Sequence, residues 1–201
     1  MSTSRLETFS DGVLAIIITV MVLELHVPGG NGLSDLWHDS GLGLLTYLLS
    51  FVYIGIYWSN HHHMFQIAGY VDGSVLWANL HLLFWLSLYP FTTSWLDESH
   101  VKLAPTVVYG VNLLGAAVAY YVLQLRMLRL PSTGPRLSEV IGRDLKGKLS
   151  PVIYVVGILL AFVEPWLALG PFVVVALMWL VPDRRVEHYL ESEREPGNAA
   201  D

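Results

Sequence analysis

Residues 5–25 read RLETFSDGVLAIIITVMVLEL. This stretch sets Arg5, Glu7, Ser10, Asp11 and Glu24 in or at the ends of an apolar helix, where an ionisable group is costly unless it has a partner or water. Such groups mark a pathway or a buried network. The residues between them show which face does what. Ile16, Val20 and Leu23 follow i, i+4, i+7 spacing and form one stripe, with Thr19 beside it as the lone hydroxyl. Asp11 points to nearly the opposite side. One face of this helix therefore suits a narrow pore, and the other suits attachment to its own subunit.

Composition places that helix in a membrane. Of 201 residues, 54% are hydrophobic and only 14% charged, and the mean hydropathy is +0.52, which does not fit a soluble domain. No Asp, Glu, Lys or Arg occurs between Asp39 and Asp72, from Gly73 to Leu96, or from Leu103 to Leu125. Each run exceeds the roughly 20 residues that cross a bilayer. From Leu149 to Pro182 the single charge is Glu164, in Glu164-Pro165-Trp166, with Gly170-Pro171 soon after, so two spans joined by a tight turn are expected.

The chain is thus expected to be an all-α integral membrane bundle of six transmembrane helices, at about 8–26, 42–64, 74–96, 103–126, 149–164 and 171–182. Residues 1–182 form one channel-sized domain, and 183–201, ending in EPGNAAD, a polar tail expected to be disordered. Residues 27–40, with Pro28, Gly29, Gly30 and Gly32, are read as the outer turn after the first span. The first span is expected to be retained and not cleaved, since its only basic leader residue is Arg5 and no small-residue cleavage site follows.

Basic residues set the orientation. Arg126, Arg129, Arg136, Arg143, Lys146 and Lys148 lie in the one long connection, Arg184, Arg185 and Arg194 follow the last span, and Arg5 precedes the first; only Lys102 lies elsewhere. With six spans those regions share a side, so the positive-inside rule puts both termini in the cytoplasm. The absence of cysteine excludes disulfides and thiolate metal sites. The formal charge of −6 is spread over both sides and points to no partner, nucleic acid included.

Other polar groups admit plainer readings. His61, His62 and His63 are consecutive, so on a helix they diverge by about 100° each and do not share one metal. One is expected to point inward to a carboxylate such as Asp11, with Asn79 and His81 joining the network, as a structural knot or a proton relay. Glu24 is either an interfacial residue or, facing a pore, a lure for cations at its mouth. Glu164 is expected to cap the turn between the last two spans. Pro90 should kink the third span, with Thr92 or Thr93 satisfying the freed carbonyls. Trp58, Trp77, Trp85, Trp95, Trp166 and Trp179 fall toward span ends, as aromatic belts do. Motifs of hydrolases, metalloproteases, P-loops and dinucleotide folds are absent, as is the potassium-filter sequence TVGYG, so no enzyme and no cofactor is expected and any permeant ion must be sorted by side chains. The arginines lie in loops, so no voltage-sensor helix is visible.

Arg5, Phe9, Ser10 and Asp11 in the order R-x-x-x-F-S-D, followed by GVLAIIITVMVLEL, resemble the signature of the lysosomal potassium channel family, transmembrane protein 175, in its prokaryotic single-repeat form. Trp58, His61 and Phe65 as W-x-x-H-x-x-x-F, then Asn79 and the pair Pro90-Phe91, extend the likeness over the first three spans. The resemblance implies six spans per chain, a homotetramer in the bacterial inner (plasma) membrane, and a central pore lined by the first helix. It implies a tightest constriction at Ile16, further pore-facing aliphatics at Val20 and Leu23, and a hydroxyl for selectivity at Thr19. Arg5, Ser10, Asp11, Trp58 and His61, with Asn79, would hold the first helix against the second and third. Val20 stands where some relatives carry a longer Leu, which implies a wider middle constriction. The expected function is a leak channel passing potassium and other monovalent cations. Its rivals are a proton channel or proton-coupled transporter using Asp11, Glu24 and His61, and a non-conducting membrane scaffold. The lack of inverted repeats argues against a transporter.

Overall fold

A computed structural model of the chain describes residues 3–68, 70–131, 133, 137 and 144–180. Among these, every regular element is helical: α1 Thr3–Leu23, α2 Leu33–Ile67, α3 Gly73–Ser87, α4 Tyr89–Glu98, α5 Leu103–Leu128, α6 Leu145–Ala161 and α7 Pro165–Leu180. Three of them, α1, α2 and α5, are each long and apolar enough to cross a bilayer. The tail and the basic residues Arg136, Arg143, Arg184, Arg185 and Arg194 lie outside the described residues.

The helix ends differ from the sequence reading in three places, each for a local reason. The outer turn is shorter than 27–40, because α2 already begins at Leu33. Asp35 Oδ2 takes the Gly32 amide at 2.9 Å and Asp39 Oδ2 takes the Gly29 amide at 3.0 Å, so the polar residues there close the turn from within the helix. The third apolar run is two helices, broken at Leu88 just ahead of Pro90, which sits in the first turn of α4 where its missing N–H is not needed. Thr92 donates its hydroxyl to the Tyr89 carbonyl at 3.4 Å, while Thr93 is engaged elsewhere. The turn between the last two helices falls at Phe162 to Glu164, where the Glu164 amide bonds Leu160 O at 3.0 Å; Pro165 then opens α7, and Gly170-Pro171 lies inside it.

Around these helices the core is aromatic and internal to one protomer. Tyr53, Tyr89, Tyr109, Tyr154 and Phe172, from α2, α4, α5, α6 and α7, are all buried and meet ring to ring at 5.9 to 6.5 Å. Several polar atoms among them are paired across helices: Ser50 Oγ lies 2.7 Å from Thr93 Oγ1 and 3.0 Å from the Tyr109 hydroxyl, Asn112 donates to Thr92 Oγ1 at 3.1 Å, and the Tyr53 hydroxyl donates to Phe172 O, while the Tyr89 hydroxyl has no partner among the described residues. In a bilayer, where apolar burial does not separate helix from lipid, such close packing and cross-helix bonding hold the bundle.

Phe172 sits where three helices meet, against two glycines. A Cβ at Gly110 would lie 2.7 Å from its Cζ, and one at Gly157 2.6 Å from its Cε1. Gly110→Leu is expected to lower stability in detergent by about 1–3 kcal/mol through overpacking. Combining it with Phe172→Ala should recover part of the loss, read as a non-additive shift in the thermal midpoint; strict additivity would place the strain elsewhere.

Asp72 stands in the connection ahead of α3 and caps that helix, its Oδ1 accepting the Val75 amide at 2.9 Å and the Ser74 hydroxyl at 2.7 Å. Those bonds, the Val75 amide first, hold its carboxyl below the ordinary range. The cap is in place above the unfolded carboxyl's pKa and is lost only as pH falls through the lower native value.

Candidate functional site

α1 lies on the outside of this core, packed along one side by α2, α3 and α4. Leu6, Ser10, Leu14, Ile17 and Met21 make its buried face. The stripe picked out by periodicity faces away from the protomer: Ile16 is 66% exposed and Leu23 76%, with Thr19 and Val20 exposed between them. Ile16, Val20 and Leu23 thus form an exposed aliphatic row on a firmly mounted helix. Thr19 donates its hydroxyl to Ala15 O at 2.8 Å, so its oxygen turns only lone pairs outward, the polarity a cation requires.

The mount is polar. Ser10 donates to Leu6 O at 2.8 Å, Asn79 Nδ2 of α3 donates to Ser10 Oγ at 2.9 Å, and Asn79 Oδ1 faces His61 Nε2 of α2 at 2.8 Å. Because the Ser10 proton is committed to Leu6, each later link has one direction, and His61 must carry its proton on Nε2. All three side chains are buried, and His61 Nδ1 has no partner. One hydrogen-bonded line thus joins the first three helices.

A second line runs beside it. Trp58 Nε1 donates to Asp11 Oδ1 at 3.0 Å, and His62 Nδ1 lies 2.5 Å from Glu7 Oε1, with Trp58 and His62 stacked. The inward histidine therefore meets Asn79 in place of Asp11, and the carboxylate that receives a histidine is Glu7. Nothing local in the sequence pairs Glu7 with His62; their phases on α1 and α2 become informative only when those helices are seen side by side. His81 stays out of the network and accepts from Trp85 Nε1 at 3.1 Å. Ser10, Asp11, Trp58, His61 and Asn79 are brought together, whereas Arg5 is exposed and makes no hydrogen bond or ion pair with the described residues. Glu24 is exposed near the end of α1, and with Glu98 it lines the same groove between α1 and α4. Among the described residues no group of three or more His, Asp or Glu is placed to hold a metal ion.

The likeness to known proteins includes these helices and extends over nearly the whole chain. A family profile described as the endosomal/lysosomal potassium channel TMEM175 matches residues 5–90. A potassium channel of Chryseobacterium sp. is 48% identical over 191 residues, covering 95% of this chain and 99% of that one. The chain belongs to the TMEM175 family. In solved structures its fold is matched by a crystal structure described as a lysosomal potassium-selective channel TMEM175 homolog from Chamaesiphon minutus, with a TM-score of 0.74 at 29% identity over 91% of this chain and 97% of that chain. The Gallus gallus endosomal/lysosomal proton channel TMEM175 is 37% identical over 76 residues, which is 32% of this chain and 15% of the Gallus protein. As a TMEM175-family member the chain is a multi-pass membrane protein of an ion-channel family, not an enzyme. Within the TMEM175 frame, Ser10, Asp11, Trp58, His61 and Asn79 all fall inside the matched residues 5–90, as does the exposed stripe of α1.

Proposed function

We propose that four copies of the chain surround a central axis and conduct potassium and other monovalent cations through a hydrophobic constriction built from α1. The observation that carries this is the division of α1: Ile16, Thr19, Val20 and Leu23 are exposed on one face, while Ser10 and Asp11 are bonded to α2 and α3 on another. Among the described residues the interior of a single protomer is filled by the aromatic core, so a closed ring of copies would supply the enclosure. Rings of Ile16, Val20 and Leu23 strip part of an ion's water and dewet when narrow, and Thr19 offers the oxygen that offsets part of that loss. Charge-poor runs and the basic residues flanking them support six spans, counting α3 and α4 as one, with both termini in the cytoplasm of a bacterium and the chain in its plasma membrane. We read the channel as a leak, its arginines lying outside the apolar runs and not at every third position of a span.

The test is purified protein in liposomes under a potassium gradient. Potassium-dependent flux supports the reading; no cation flux under any gradient would return the chain to the scaffold reading. A proton channel is the second reading, favoured by the name of the Gallus relative. Its signature is proton-driven dye quenching without potassium dependence and loss of flux in Asp11→Asn with folding intact. The bonding argues against a relay through His61, because the line from His61 runs into an amide and ends on the Leu6 carbonyl, neither of which passes a proton on.

Glu24 supplies a further check. As an exposed carboxylate at the outer end of the wall it concentrates cations at the mouth. Glu24→Gln is expected to reduce flux at about 0.01 M salt and to have little effect near 1 M, where the Debye length shrinks to about 3 Å. A reduction independent of salt would assign Glu24 a contact role.

A further inference from the structure

We infer that Glu7 and His62 are a positioning pair for the pore helix, a latch between α1 and α2 that closes when His62 takes up a proton. This rests on the reading that α1 lines a conduction path, and it adds a dependence on cytoplasmic pH to that reading. His62 Nδ1 lies 2.5 Å from Glu7 Oε1, and the two side chains are 40% and 22% exposed, so water reaches the contact. Glu7 precedes Ile16 by nine residues, which at about 100° per residue puts it about 180° from the exposed stripe. The pair therefore acts on a passing ion through the position of α1 and not through its own charge.

The surroundings of His62 satisfy either charge state. Gln66 Nε2 lies 2.8 Å from His62 Nε2. An amide nitrogen only donates, so in this arrangement His62 Nε2 is bare and the single ring proton sits on Nδ1, aimed at Glu7. Turning the Gln66 amide over presents its Oε1 instead, which accepts the proton that Nε2 gains. Neither state leaves a ring nitrogen unpaired. What changes is the grip: on a charged ring the bond to Glu7 becomes an ion pair, and the stack of His62 on Trp58 becomes a cation–π contact. Trp58 in turn donates to Asp11 at 3.0 Å, so both attachments of the inner end of α1 meet on one stack. The other titratable groups here are Asp11 of α1 and His61 and His63 of α2, while α3 reaches the cluster through Asn79, which does not titrate.

The consequence for conduction follows from where the latch sits. Glu7 lies nearly one turn closer to the N-terminus than Ser10, so opening the latch leaves α1 held at Ser10 and able to rock about it. Flux depends exponentially on barrier height, so it is weighted toward excursions in which the aliphatic ring is widest. A closed latch suppresses those excursions. Histidine is the side chain whose charge ordinarily changes between about pH 5 and 8, so acid closes the latch and alkali opens it.

Potassium flux in liposomes, with the same pH on both faces, is expected to fall about fivefold or more between about pH 8 and about pH 5.5. Glu7→Gln and His62→Gln keep a hydrogen-bonding partner in place without the ion pair, and each is expected to hold the alkaline flux across the whole range. His62→Lys is charged throughout and is expected to show the low, acid flux already at about pH 8. Wild-type flux that ignores pH, or a pH dependence that survives both glutamine variants, overturns the inference and leaves the pore reading standing. So does wild-type flux that rises on acidification, a result that needs no variant to fold. Absence of potassium flux at every pH overturns the pore reading itself, and the latch with it.

Discussion

Ile16→Asn is expected to raise cation flux in liposomes about tenfold or more and to flatten the preference among monovalent cations. The argument is one of barrier height. A ring of four isobutyl-sized side chains offers an ion nothing in exchange for the water it sheds, so the barrier there is set by dehydration. An amide at the same point supplies acceptor oxygens and holds water in the constriction; lowering the barrier by about 1.4 kcal/mol already gives tenfold. Ile16 is 66% exposed in the protomer, so folding should be retained. Ile16→Val is the graded control, with a smaller rise and preference kept. Flux unchanged in both variants would remove Ile16 from the conduction path.

The second large effect is on the mount. Asn79→Leu strands the buried His61 Nε2 proton, in addition to His61 Nδ1, which already lacks a partner, while Ser10 keeps its bond to the Leu6 carbonyl. An orphaned buried polar group costs about 1–3 kcal/mol in an aqueous reference, and the loss is nearer the low end in a bilayer, where the unfolded helices also find partners. Against a total stability of about 5–15 kcal/mol that is enough to deplete assembled protein. His61→Phe in the same chain removes the stranded imidazole and suits the stack that His61 makes on Phe65 at 4.2 Å. The double variant should therefore be more stable than the sum of the two single losses, measured by thermal dispersion in detergent. Simple additivity would show that Asn79 and His61 act separately.

Much of this was legible before any coordinates, because two signals are local. Uncharged runs longer than a bilayer is thick mark helices, and the exposed stripe of α1 follows from spacing within 20 residues of sequence. Contacts between segments far apart in the chain leave no such trace. Glu7 with His62, Ser50 with Thr93 and Tyr109, and Phe172 on Gly110 and Gly157 are chosen by how helices cross, and no periodicity in any one helix announces them. The helix ends were misplaced where polar residues belong to a helix that extends beyond the apolar layer, as at Ser34 to Ser40, and where proline opens a helix instead of ending one, as at Pro165.

The interruption at Leu88 has a mechanical side. The lower half of α1 is fastened by Asn79 of α3, and its upper half leans on α4, which is a separate piece. Tilting the upper piece would shift Val20 while the fastening at Ser10 stays fixed, so the two ends of α1 would respond one at a time.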